Sequence, residues 1–173
     1  ILKQRFPTTL QPLAGGSFRN WLRLLLDNGG IHSDFLLRAG FVTLATLACT
    51  PFRMYERMRY RNVLEDVKIE HPPLFILGHW RSGTTHLHNV LSRDPQFGYI
   101  TTFQAVAPEF CLAGERSLRP ILKVRVPETR HMDNMTLSLD HPQEDEVALA
   151  NLCRHSFYHY WSFPLSVERY VNE

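Results

Sequence analysis

Residues 74–91 of this chain, Leu-Phe-Ile-Leu-Gly-His-Trp-Arg-Ser-Gly-Thr-Thr-His-Leu-His-Asn-Val-Leu, leave few folds open. The run 74–77 is short, apolar and uninterrupted, the pattern of a central strand buried on both faces. Residues 78–83 turn between two glycines, and 84–92 read as a helix with Leu87, Val90 and Leu91 on one face. Asp94-Pro95 ends that helix, because a proline disfavours helical backbone in the residue before it. Residues 98–103, Gly-Tyr-Ile-Thr-Thr-Phe, read as a second strand. Strand, loop, helix and strand in that order form a βαβ unit, which calls for a parallel sheet with helices on its faces. The expected fold class is therefore α/β, a parallel sheet with flanking helices.

The loop fits G-x-x-x-x-G-x-[ST] from Gly78 to Thr85. Its glycines let the backbone turn so that N–H groups converge on an anion, and the next helix points its N-terminus at the same place. Thr84 and Thr85 add hydroxyl donors. A nucleotide triphosphatase would carry a lysine where Thr84 stands, to hold the β- and γ-phosphates beside a metal-binding Ser or Thr. Arg81 supplies a permanent charge and a planar fork from within the loop instead. That combination suits one 5′-phosphate joined to another oxyanion better than a metal-bound triphosphate. Trp80 could stack on an adenine or wall the site. His86 and His88 are two positions apart, so on a helix they diverge, and no metal site is expected.

The stretch "FILGHWRSGTTHLHNVLSRDPQFG" resembles the 5′-phosphosulfate-binding loop of sulfotransferases that use 3′-phosphoadenosine 5′-phosphosulfate (PAPS). It is most similar to the group whose loop reads Arg-Ser-Gly-Thr-Thr, found in many bacterial members and in tyrosylprotein sulfotransferases. Weaker similarity runs on through "TTFQAVAP" and "MDNMTLSLDHPQEDEVALANL". The resemblance implies a P-loop-like α/β fold with a parallel sheet, and metal-independent, in-line transfer of a sulfuryl group from PAPS to a hydroxyl or amine, leaving 3′,5′-adenosine bisphosphate. It puts Arg81 near the leaving phosphate and makes Ser82, Gly83, Thr84, Thr85 and His86 the cradle of the 5′-phosphate, with Gly78, His79 and Trp80 completing the loop. The arginine and serine that hold the 3′-phosphate in the family have no match before Glu173, so the chain is expected to be an incomplete, N-terminal portion.

Transfer to an alcohol benefits from a base that removes the acceptor proton. The tyrosylprotein branch carries an acid after its second strand, but here that region reads Ile100-Thr101-Thr102-Phe103-Gln104. The best local substitute is His141-Pro142-Gln143-Glu144-Asp145-Glu146, which reads as the opening of a helix running to about Cys153, with proline in its first turn and acids at its positive end. Glu144 is the first candidate, Glu146 the second, and His141 the third, since a histidine titrates in the physiological range. Both acids also have an ordinary reading, as helix-start or solvated-face residues. Between these landmarks, Pro108, Gly114, Pro120 and Pro127 cut 104–140 into short pieces.

Residues 1–70 read as a helical segment ahead of the α/β portion, 71–173. Phe18, Trp21, Leu22 and 24–26 suggest a helix stopped by Asp27-Asn28-Gly29-Gly30, and Ser33-Asp34 can cap a second one. From Ala39 to Phe52 there is no charge, and Arg53, Arg57, Arg59 and Arg61 follow. One reading is an interfacial helix with an arginine collar, giving peripheral membrane contact through 35–61. The other is a buried helix followed by a solvated one. Fourteen uncharged residues fall short of the ~20 that span a bilayer.

The formal net charge of +2 gives no support to a nucleic-acid partner. Cys49, Cys111 and Cys153 show no CxxC spacing and read as small buried residues in a reducing, cytoplasmic setting. The expected acceptor is a small or lipid-like molecule. Two other functions fit less well: a P-loop nucleotide kinase or NTPase, which lacks its lysine and a Walker-B strand ending in Asp, and a non-catalytic membrane-associated module that keeps the loop.

Overall fold

The computed structural model describes residues 11–79, 81–124, 129 and 136–172. Ser17 starts α1 (Phe18–Asp27) by accepting a hydrogen bond from the Asn20 amide at 3.2 Å. The buried Asn20 amide group donates to the carbonyls of Asn151 and Cys153, which ties this helix to the far end of the chain. Trp21 donates its indole N–H to Thr43 Oγ1 at 2.9 Å, so the ring is buried without stranding its polar atom. Leu13, Trp21, Leu24, Ala39 and Val42 form one core cluster, with Phe163 against it.

The second helix departs from expectation at both ends. Ser33–Phe35 is a 3-10 turn, and His32 rather than Ser33 offers the cap, accepting from the Asp34 amide. α2 (Leu36–Ala48) is then followed at once by α3 (Thr50–Asp66), because Cys49 between them is itself helical. Pro51 sits in the first turn of α3, where its missing N–H costs little. The result is a nearly unbroken rod of 34 residues from Ser33 to Asp66, long and apolar enough to cross a membrane by length and composition. A length judged on 39–52 alone is therefore too short a measure. The rod's inner face packs: Thr46, Arg53 and Glu56 are buried, and Arg53 donates to the carbonyls of Thr46, Gly15 and Gly16.

Residues 74–77 have no regular secondary structure, and only Ile76 among them is partly buried. The second strand expected over 98–103 is cut short. Thr101 and Gln104 form a reciprocal capping box that opens α5 (Thr102–Val106), and a capped turn outcompetes an extended Thr-Thr pair. Thr101 pairs with Pro142 in a single antiparallel bridge. No strand longer than such a bridge occurs among the described residues.

α6 (Cys111–Lys123) runs through both Gly114 and Pro120 rather than breaking at them. Glu56 receives the Ala113 amide in its first turn at 2.7 Å. Arg119 forks to Glu115 and Asp140, holding the Asp140 carboxyl below the usual carboxylate range. Phe103, Ala107, Phe110 and Leu139 make the second core, covered in part by Cys49, Phe52 and Cys111. Burial pushes the Cys49 and Cys111 thiols up, so both behave as small apolar side chains. α7 (Asp145–Leu152) starts later than Pro142. Pro142 lies instead in the bridge to Thr101, and Glu144 becomes the N-cap, with no hydrogen bond from its side chain to the helix. α8 (His159–Ser162) and α9 (Val167–Asn172) end the chain.

Candidate anion-binding site

The loop closes on itself before α4 (Thr84–Leu91) begins. The Ser82 amide and hydroxyl both donate to the His79 carbonyl, at 3.2 and 2.5 Å. Two residues carry left-handed backbone: Arg81 at φ 66° and Gly83 at φ 92°. A non-glycine residue held there is uncommon and costs energy, so the turn around Arg81 is imposed by its neighbours. Gly83 serves as N-cap of α4 and, having no side chain, makes no side-chain cap. Gly78 is required for a different reason. A Cβ there would lie 2.6 Å from Thr84 Cγ2 and 2.9 Å from Ser82 Oγ.

Arg81, Ser82, Gly83 and His86 are exposed, Thr84 and Thr85 half-buried. Amides at a helix start, two hydroxyls and a guanidinium on one short loop are the donor set that a phosphate or sulfate ester requires. The residues present therefore fit such a group. Trp80 lies outside the described residues.

The loop helix does not stand alone. A small cavity of about 20 Å³ is lined by Thr85 and Asn89 on one side and by Thr136, Leu137, His141, Pro142 and Gln143 on the other. Four contacts hold this second wall: the Thr102 amide and hydroxyl donate to the His141 carbonyl, the Phe103 amide to Leu139, and the Gln143 amide to Ile100. The His141 ring places Nδ1 3.1 Å from the Thr136 carbonyl oxygen. A carbonyl only accepts, so Nδ1 carries the proton in the neutral ring and Nε2 keeps its lone pair.

The three base candidates thus separate. His141 shares the cavity with Thr85. Glu144 is exposed and accepts a hydrogen bond from the Tyr158 hydroxyl, whose ring stacks on Trp161 at 5.0 Å. Glu146 accepts from Ser156 Oγ at 2.6 Å and from the Phe157 amide at 3.0 Å, pinning the turn before α8. Asn89 and Gln143 reach the cavity without having been anticipated. Asn89 was within reach of sequence reasoning, since it lies four residues after Thr85 and so on the same helix face. Nothing local marked Gln143.

Residues 72–171 match the family model described as "Sulfotransferase family". Two curated relatives, the omega-hydroxy-beta-dihydromenaquinone-9 sulfotransferases of Mycobacterium bovis and Mycobacterium tuberculosis, are each 35% identical to the chain over 133 residues. That stretch is 76% of this chain and 34% of theirs, so the chain spans about a third of the length of the curated relatives it matches. No solved structure matches at a significant level.

Proposed function

The chain belongs to the sulfotransferase family, and we propose that it carries the donor-binding loop and the general base of an enzyme that moves a sulfuryl group from PAPS to the hydroxyl of an apolar, lipid-like acceptor. The observation that carries this reading is the cavity shared by Thr85 of the loop helix and His141. The donor supplies a sulfuryl group joined to a phosphate, and that S–O bond breaks as the acceptor oxygen bonds to sulfur. Gly83, Thr84 and Thr85 hold the 5′-phosphate through loop amides and hydroxyls, while Ser82 closes the turn by donating its amide and hydroxyl to the His79 carbonyl. Arg81 balances the charge left on the phosphate oxygen as transfer proceeds. His141 takes the acceptor proton on Nε2, the nitrogen its Thr136 contact leaves unprotonated. Glu144 and Glu146 have structural partners and are not needed for this step.

The apolar run 74–77 supports the expected place of a strand in a parallel sheet, with the catalytic portion beginning near residue 71. The acceptor class rests on the relatives, whose names give a dihydromenaquinone derivative, and on the apolar stretch of α2 running into the start of α3. A peripheral membrane contact through 35–61 goes with it.

The test compares binding of 3′,5′-adenosine bisphosphate with that of ATP and Mg²⁺, for the wild type and Arg81→Ala. The bisphosphate should bind without metal and weaken on loss of Arg81. A preference for ATP with Mg²⁺ overturns the reading. His141→Gln should lower turnover by about 10²–10⁴ while leaving bisphosphate affinity in place.

A further inference from the structure

The outer face of the α2–α3 rod poses a separate question. At 100° per residue, Leu36, Leu37, Leu44, Leu47, Met54 and Met58 fall within about a third of the helix circumference. All six are exposed, Leu37 at 85%, Leu44 at 70% and Met58 at 83%. From Leu36 to Met58 the stripe runs about 33 Å at 1.5 Å per residue. The positions between them on the same face, Gly40, Ala48, Pro51 and Tyr55, bear no charge. So long an apolar face turned outward calls for a cover.

Charge identifies it. Between Phe35 and Leu64 the one acid is Glu56, which is buried against the first turn of α6. The charges that reach the surface there are arginines: the half-buried Arg38 toward one end, and the exposed Arg57, Arg59 and Arg61 flanking the other end of the stripe, Arg61 being paired with Glu65 just past it at 3.0 Å. An apolar stripe edged by arginines, with exposed acids only beyond its ends at Asp34, Glu65 and Asp66, is complementary to an anionic lipid surface. The rod does not cross the bilayer, because its opposite face is engaged with protein: Thr46, Arg53 and Glu56 are buried there and hydrogen-bonded. The stripe also lies outside the stretch matching the sulfotransferase model, 72–171. We infer that the outer face of α2–α3 lies in the interfacial region of an anionic membrane, parallel to its plane. This gives a specific surface to the membrane contact that goes with the proposed function, and its observations stand independently of the donor loop.

Flotation of the full-length protein with phosphatidylglycerol vesicles, against phosphatidylcholine vesicles, tests this directly. Wild type should float with the anionic vesicles and less with the neutral ones. Leu37→Asp with Leu44→Asp should cut binding on the order of tenfold or more. Arg57→Ser with Arg59→Ser should cut it roughly fivefold per arginine and reduce its salt dependence. Both variants should keep the wild-type melting temperature and bisphosphate affinity. Absent flotation of wild type, equal binding to both lipids, or indifference to the aspartates overturns the inference. So does a large drop in melting temperature for the aspartate pair, which would place protein over the stripe. Lost bisphosphate binding with intact flotation would remove the proposed function and uphold the membrane face.

Discussion

Arg53 Nε lies 3.2 Å from Glu109 Oε2, with both side chains mostly withdrawn from water. The two attract as charges, though neither atom completes a hydrogen bond with the other. Burial pushes the Arg53 guanidinium below its usual range, and Glu109 pulls it back. The same guanidinium lies over the Phe110 ring at 4.8 Å and donates to three carbonyls. It therefore fastens the rod to the 12–15 turn and to the start of α6.

Loss of that hub should cost far more than a surface ion pair would. Arg53→Met is expected to destabilise by about 3–5 kcal/mol, since it strands the Glu109 carboxylate and three carbonyls. Adding Glu109→Leu should recover part of the loss. Chemical denaturation of both variants checks this; an Arg53→Met protein as stable as wild type would mean the pair does not hold the rod.

Gly78→Ala asks whether the loop is built to close tolerance. Its methyl would sit 2.6 Å from Thr84 Cγ2, and relieving that contact should cost about 1–3 kcal/mol. Expressed in bisphosphate affinity, the loss is about five- to 140-fold. Gly40→Ala on α2, where an added methyl meets nothing within 4 Å, is the control and should bind as wild type does.

The two glutamates should part company in thermal denaturation. Glu146→Ala loses hydrogen bonds from Ser156 and Phe157 to a charged group and should destabilise by about 1.5–3 kcal/mol. The exposed Glu144 should tolerate alanine within about 0.5 kcal/mol. If Glu144→Ala instead abolished turnover in a fully stable protein, the base would be Glu144 and not His141.

His159 predicts a pH dependence. It is fully buried, with Nε2 2.9 Å from the Ala150 carbonyl oxygen and Nδ1 3.2 Å from that of Arg154. Burial lowers its pKa, and the two carbonyls oppose this without cancelling it. The folded protein thus binds fewer protons than the unfolded chain just below the ordinary histidine value of about 6.5. Stability from this group is fully present above that value and is lost as pH falls through the lower, folded one. Melting temperature measured from pH 7.5 down to 5 should fall, and His159→Gln should flatten that part of the curve. An identical slope in the variant would assign the effect to other groups.

What the chain alone determined is what its neighbouring residues decide. The turn at Gly78–Gly83 and the stop at Asn28-Gly29-Gly30 depend on backbone preferences within a few positions, and these read directly from the order of residues. The family, too, was legible in Arg-Ser-Gly-Thr-Thr, because that motif is a run of neighbouring residues. The tertiary structure decided the rest. Local grammar favours an extended Thr101-Thr102 and places Pro142 in a helix; the structure makes Thr101 a cap and binds Thr102 to the His141 carbonyl, 39 residues away. Together with the neighbouring contacts, that pairing brings His141, and neither Glu144 nor Glu146, to the cavity beside the loop helix. Likewise, no local rule says that Arg53, one of four arginines in nine residues, turns inward to Glu109 and leaves the others at the surface. Which polar group is buried depends on what the rest of the chain brings to meet it, and a buried charge survives only where those partners converge.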